Sequence, residues 1–291
     1  MDSDRRTLSL ALYLCPGIAG KTVTRILIRN ETLGISLAEF LAMSEVSLRE
    51  EYGLNQSTAT AWCTSQSDLI NAAKTLGSKL DKHAVGIITG ADAHYPELLE
   101  EFDADPPGVL FFHGNHKLLS AKTFAILSSR KSSPSALDHA ERLAEEGVLG
   151  GEILVTGHGT PEYERAAVVP LRWGSPRVMC LDRGLFDALG PELKDEPFRA
   201  ARLWRYQFDR KTDLAISLAH PEKGFLPGAN ARRDRLIAGL AKRLDFVNIA
   251  PGGNMDKIAR MALKANRPVR ILDSFLGSRE WMRYGATMLE L

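Results

Sequence analysis

The stretch "TFAILSSRKSSPSALDHAERLAEEGVLGGEILVTGHG", Thr123 to Gly159, decides the fold. A short apolar run ends in a polar loop of serines with Arg130 and Lys131. An amphipathic segment follows, in which Leu137, Ala140, Leu143 and Ala144 recur at helical spacing. A second apolar run then closes on a loop holding Gly157, His158 and Gly159. Strand, helix, strand is the building unit of an α/β fold with a mostly parallel, doubly wound sheet.

The same alternation extends both ways. "AVGIIT" (84–89) and "GVLFFHGN" (108–115) read as strands before it. "PRVMCLD" (176–182), "TDLAISLA" (212–219), "DFVNIAPGG" (245–253) and "RPVRILD" (267–273) read as strands after it. "ARRDRLIAGLAKRL" (231–244) and "MDKIARMALKA" (255–265) read as helices between them. Residues 182–212, rich in charge and aromatics, read as a helical insertion or a long connection.

Residues before this region read as helical. Val23, Ile26 and Leu27 fall at helical spacing, and Ser36 with Glu39 forms a capping-box pattern. Gly53 is expected to close a helix, and a last helix is expected to end at Gly77. The expected organisation is a small all-helical domain over 1–82 and an α/β domain over 83–291.

Composition excludes several classes. The chain of 291 residues is 44% hydrophobic and 25% charged, with net charge +1, as in ordinary globular proteins. The pI near 7.8 excludes a histone-like binder but leaves room for a local basic patch. Cys15, Cys63 and Cys180 are far apart and form no metal or disulfide pattern, which fits a reducing compartment. No cleavable leader is legible, and no apolar run approaches the roughly 20 residues of a membrane span, so a cytoplasmic location is expected.

Ligands of open parallel sheets bind beyond the C-terminal strand ends. The loops there are 128–135, 156–160, 218–235 and 250–254, all rich in Gly, Ser or Arg. Small residues let a phosphate approach the backbone, and helix N-termini favour anions. The candidate binding residues are Ser129, Arg130, Lys131, Gly157, His158, Arg232, Arg233, Arg235, Gly253 and Asn254. Arginines at a helix start oppose the helix dipole. Either a bound polyanion offsets that, or Asp234 and nearby acids neutralise them. His158 either bonds a phosphate or base, or caps a strand end. No H-E-x-x-H or G-x-S-x-G pattern is present, so no catalytic residue, metal or cofactor is expected. In "RLWRYQF" (202–208), aromatics interleaved with Arg202 and Arg205 are candidates for base stacking or for the core.

Four segments carry a resemblance. "HYPELLEEFDADPPGVLFFHGN" (94–115), "FAILSSR" (124–130), "RDRLIAGLA" (233–241) and "APGGNMDKIARMAL" (250–263) keep the order and approximate spacing of the DprA/Smf family of DNA-processing proteins. The resemblance covers about residues 85 to 272. It implies a Rossmann-like domain that binds single-stranded DNA, acts as a homodimer, and helps load the RecA recombinase in natural transformation. By motif position it implies DNA contacts at Ser129, Arg130, Arg233 and Arg235, and a loop glycine at Gly157. This chain departs from the family at Ser128, where Gly is usual, and at Asn230-Ala231, where Phe-Pro is usual. About twenty residues follow the last strand, so the family's winged-helix domain is not expected. The wider SLOG/LOG superfamily offers two alternatives. One is a sensor of a nucleotide-derived small molecule in defence or regulation. The other, a nucleotide phosphoribohydrolase, would rest on Asp256, the one carboxylate near the "PGGN" loop.

"CPGIAGKT" (15–22) ends like a phosphate loop but lacks the first Gly and lies in the helical region. It reads instead as a helix-hairpin-helix turn, with residues 48–62 as a weaker second copy. Lys21 then becomes at most an auxiliary nucleic-acid contact, and the module equally suits protein contacts.

Overall fold

Helix caps written into the first 82 residues set the element boundaries there. In the computed structural model, which describes residues 3–203, 206–273, 275 and 277–289, the chain divides into two units. One comprises Met1–Tyr95 with Asp105–Leu110, the other Pro96–Ala104 with Phe111–Leu291.

The first unit contains helices α1 (Ser3–Leu14), α2 (Lys21–Leu33), α3 (Leu37–Leu41), α4 (Glu45–Glu50) and α5 (Gln56–Lys82), then strand β1 (Gly86–Thr89). Ser36 and Glu39 form the reciprocal capping box at α3, and Ser44 and Asn55 cap α4 and α5. Gly53 takes the left-handed φ of 61° just after α4. Helix α5 does not stop at Gly77 but runs on to Lys82. Gly77 is buried, and a Cβ there would already touch Leu10 of α1, so this glycine serves close packing of two helices rather than termination.

The turn in "CPGIAGKT" joins α1 to α2. Gly20 has φ 49°, and the Lys21 N–H donates to Asp105 Oδ1 at 3.0 Å. A Cβ on Gly20 would stand 2.2 Å from that oxygen, and one on Gly108 would stand 2.4 Å from the Gly20 carbonyl oxygen. The anion at the start of α2 is therefore the chain's own Asp105. Tyr95 donates its hydroxyl proton to the Pro107 carbonyl at 2.6 Å. The Tyr-Pro and Asp-Pro-Pro-Gly motifs thus brace this turn.

In the second unit the strands are the last residues of β2 (Val109–Gly114), then β3 (Thr123–Ser128), β4 (Ile153–Thr156), β5 (Arg177–Leu181), β6 (Leu214–Ser217), β7 (Arg243–Asn248), β8 (Val269–Leu272) and β9 (Thr287–Leu289). Their order is β2-β6-β5-β4-β3-β7-β8-β9. The β2–β6 pair is antiparallel, and the other pairs are parallel. The fold is thus α/β with a mixed, mostly parallel sheet, preceded in the chain by a helical region. The helices are α6 (Glu97–Phe102), α7 (Pro134–Leu149), α8 (Pro161–Trp173), α9 (Leu185–Leu189), α10 (Arg199–Leu203), α11 (Ala229–Leu240) and α12 (Asn254–Lys264).

The chain runs β3-β4-β5-β6 to one side, then crosses back to β7 beside β3. Right-handed crossovers therefore put α7 and α8 on one face and α11 and α12 on the other. Phe124, Ile126 and Leu154 of the sheet pack with Leu143, Ala144 and Val169 of α7 and α8 in one apolar core. Helices α6 and α8 and strand β9 escape the sequence patterns. Pro170 interrupts the run that forms α8, where its ring falls in the last turn, and β9 is only three residues long. The stretch 182–212 holds two short helices. It is anchored by the fully buried Arg177, whose Nε donates to Asp213 at 2.9 Å and whose guanidinium also pairs with Glu196. In "RLWRYQF", Phe208 is buried and Tyr206 half exposed, while Trp204 and Arg205 lie outside the described residues. Among the described residues, no helix is long and apolar enough to cross a membrane.

Candidate functional site

The reversal of strand order places the loops after β3 and β7 side by side, with those after β4, β5 and β6 along the same edge. Serines shape the β3 loop. Ser128 Oγ lies 2.6 Å from Ser132 Oγ, and the Ser132 hydroxyl donates to the Ser129 carbonyl at 3.1 Å. Ser129 Oγ accepts the Ala250 N–H at 2.8 Å, and the Ser129 N–H donates to the Asn248 carbonyl at 2.9 Å. Ser129 therefore ties the two loops together. Lys131 sits at φ 64°, a left-handed turn that a lysine adopts only under constraint. The loop thereby lifts Arg130 and Lys131 into solvent, and neither makes an ion pair among the described residues.

Beneath the edge lies a charged cage. Arg233, the fifth residue of α11, is 3% exposed. Its Nη1 donates to Asp182 at 3.1 Å and to the His158 carbonyl at 3.0 Å, and its Nη2 donates to Asp234 at 3.0 Å. The guanidinium carbon lies 4.7 Å from the centre of the Tyr163 ring. The Tyr163 hydroxyl donates to Asp234 at 2.7 Å, and Asn254 Nδ2 donates to the same carboxylate at 2.9 Å. Gly157 makes room for this: a Cβ there would sit 3.0 Å from both Arg233 Nε and Tyr163 Cδ2. His158 Nε2 stands 3.3 Å from Asp182 Oδ1, close to it but without the alignment of a hydrogen bond.

Electrostatics follow from the cage. Burial alone would raise the Asp182 carboxyl, but His158, Arg183 and Arg233 outweigh it and hold the group well below the usual carboxylate range. Burial and then the Asp234 charge push the Tyr163 phenol well up. Burial raises the Cys180 thiol behind them, which removes it as a nucleophile at neutral pH.

Of the three arginines at the start of α11, Arg233 is thus neutralised inside and is not presented to solvent. Arg235 pairs with Asp103 while keeping an exposed side chain, and only Arg232 is exposed without an ion pair among the described residues. Asp234 and Asp182 supply the neutralisation that the helix dipole calls for. The Gly253 N–H is used within its own turn, donating to the Ala250 carbonyl at 3.1 Å. The Lys21 side chain is exposed in the first unit, its N–H committed to Asp105. Asp256 is held by Arg260 at 3.1 Å.

Over the cage the loops enclose a cleft of about 650 Å³, lined among others by Arg130, Lys131, Glu162, Asp182, Arg183 and Phe225. Of these, Glu162, Asp182, Arg183 and Phe225 are not among the residues singled out by pattern. Asp182 carried one legible signal, a carboxylate at the end of an otherwise apolar strand. Tyr163 and Glu162 carried none, because Pro170 hid their helix. Phe225 is 44% exposed, with Arg183 stacked 6.0 Å from its ring centre.

Comparison with known proteins gives a consistent assignment. The chain is similar over 99% of its length to DNA processing protein A (DprA) from Streptococcus pneumoniae, with 18% identity, TM-score 0.73 and 95% of that chain covered. It is also similar to DNA processing protein A from Helicobacter pylori, whose structure was described for its unique single-stranded DNA binding mode. There the identity is 19% and the TM-score 0.53, over 70% of this chain and 90% of that one. No curated protein matches. The sequence profile described as DNA recombination-mediator protein A matches residues 86–290, and the chain belongs to that family.

Proposed function

We propose that the chain binds single-stranded DNA along the C-terminal edge of its parallel strands and acts as a recombination mediator, helping to load RecA during DNA uptake. The observation that carries this reading is the set Arg130, Lys131 and Arg232. Arg130 and Lys131 are exposed cations on the β3 loop and Arg232 is one in the first turn of α11, all at the same edge and without an ion pair among the described residues. Such groups meet backbone phosphates as charged donors. Phe225, on the cleft wall, supplies the stacking face that Asn230-Ala231 lacks. Arg233, Gly157, His158 and Asn254 act beneath the surface by holding the loops in place, and Arg235 serves at the rim. The reading includes a homodimer working in the cytoplasm. In it, residues 1–82 form a helical module, with Lys21 as an auxiliary contact, and 83–291 form the DNA-binding domain.

The test is an electrophoretic shift with single-stranded oligonucleotides, repeated at rising salt and against duplex of the same length. Binding that weakens with salt and prefers single strands supports the reading; equal affinity for duplex removes the stacking component. A second reading, a sensor of a nucleotide-derived small molecule, draws on the cleft itself, whose volume of about 650 Å³ falls among small-molecule sites of roughly 300–1,000 Å³. Free mononucleotides that bind while oligonucleotides do not would favour it.

A further inference from the structure

The cleft contains a carboxylate that the phosphate-binding reading does not use. Glu162, in the first turn of α8, lines the cleft and is only 8% exposed. Its Oε1 accepts the Ser132 N–H at 3.2 Å, an arrangement that the left-handed turn at Lys131 makes possible. Its other oxygen has no hydrogen bond among the described residues. Asp182, the other acid in the cleft, has both oxygens engaged by cations of its own chain: one accepts from Arg183 at 2.9 Å and the other from Arg233 at 3.1 Å. Glu162 is therefore the acid of the two with an oxygen that no hydrogen bond uses among the described residues, in a cleft that also carries Arg130, Lys131 and the face of Phe225.

A carboxylate only accepts hydrogen bonds, so a ligand beside it must bring an N–H or O–H. Phosphate, which Arg130 and Lys131 favour, brings neither when ionised and is repelled by Glu162. The cleft is thus divided by chemistry, with cations for a phosphate, an aromatic face for a base, and an acceptor for the base edge. We infer that Glu162 makes this cleft a reader of one unstacked nucleobase, selecting bases that present an exocyclic amino group over those that present a carbonyl there. This rests on the single-stranded DNA reading and adds base preference to it. A carbonyl placed against Glu162 would leave the oxygen not bonded to Ser132 without a donor and facing a second acceptor.

The probe pair is dC15 and dU15, whose bases share size and ring but differ at the exocyclic position, amino in one and carbonyl in the other. Fluorescence anisotropy on the full chain is expected to give dC15 tighter than dU15 by about tenfold, the scale of one good base-edge contact. In Glu162→Gln the amide both donates and accepts, and the gap should close while Ser132 keeps its acceptor. A melting curve matching the parent shows that the variant is folded, and the parent's own dC15/dU15 ratio tests the inference without any variant. Equal affinities for dC15 and dU15 in the parent would overturn the assignment and leave DNA binding standing. A preference that survives in Glu162→Gln would also overturn it. No shift with either oligonucleotide would overturn the DNA reading as well. If rC15 and dC15 differ and Glu162→Gln removes that difference instead, the acceptor reads a sugar hydroxyl and the base assignment fails.

Discussion

Replacing Arg233 by alanine separates two roles that an arginine at a helix start can have. An exposed phosphate contact would cost little stability when removed, within about 0.5 kcal/mol. The structure instead puts a cation that is 3% exposed between two carboxylates, Asp182 and Asp234, each 7% exposed. Arg233→Ala would leave both acids without their shared donor and would empty the space between Tyr163 and Gly157. Breaking a buried pair from one side costs about 3–5 kcal/mol, a large fraction of the ~5–15 kcal/mol that stabilises a domain. For a unit of this size that is a fall in Tm on the order of 10 °C.

The pH dependence adds a second signature. Asp182 has a depressed carboxyl in the folded parent, so it contributes stability above its unfolded pKa and loses it as pH falls through the folded value. In Arg233→Ala the desolvation of Asp182 is no longer offset by this cation, so its protonation relieves the defect. The stability gap between parent and variant should therefore be widest near neutral pH and narrow below about pH 4, the usual carboxylate range. Thermal melts followed by circular dichroism from about pH 3 to about pH 8, spanning that range, measure both. A shift under about 2 °C, small on the scale of one kcal/mol, with a clear fall in DNA affinity would refute the caged role and return Arg233 to the strand. A large shift that is independent of pH would refute the electrostatic account and leave only the packing defect.

The other predictions concern single side chains. Arg130→Ala with Lys131→Ala should leave the melting temperature within about 2 °C, since these side chains are exposed, while the slope of log K against log salt becomes shallower by about 0.7 for each phosphate no longer neutralised. Phe225→Ala should weaken single-strand binding by about 1–3 kcal/mol with little effect on any duplex binding, which competition titration would measure. Gly157→Ala inserts a methyl 3.0 Å from Arg233 Nε and should destabilise by about 1–3 kcal/mol in urea melts. Gly20→Ala meets Asp105 at 2.2 Å and holds φ 49°; it should cost at least ~1 kcal/mol, read by the same melts, and Asp105→Gly in the same chain should recover part of it.

Patterns of apolar residues reveal layers, and here they revealed most of them. The strands from β1 to β8 follow apolar runs, and α7 and α12 follow helical spacing, because burial of one face leaves a periodic trace. What escaped has local causes: a proline inside α8, a three-residue edge strand, and a buried glycine in α5 that packs where it was expected to terminate. The loops of the candidate site were also legible, since glycine, serine and arginine cluster where parallel strands end. The division of labour among them was not. Arg232, Arg233 and Arg235 lie within four consecutive positions, yet one faces solvent, one lies inside a cage and one pairs at the rim. At about 100° per residue, a helix turns neighbours to different surroundings, and the acids that decide the outcome, Asp182 and Asp103, come from elsewhere in the chain. Charge at a position is written locally, but whether it reaches a ligand depends on which distant carboxylate gets there first. The same logic makes Glu162 informative. Asp182 has both oxygens occupied by cations from its own chain, while Glu162, across the same cleft, keeps one oxygen free among the described residues, so the asymmetry between two acids is what gives the cleft a chemical direction.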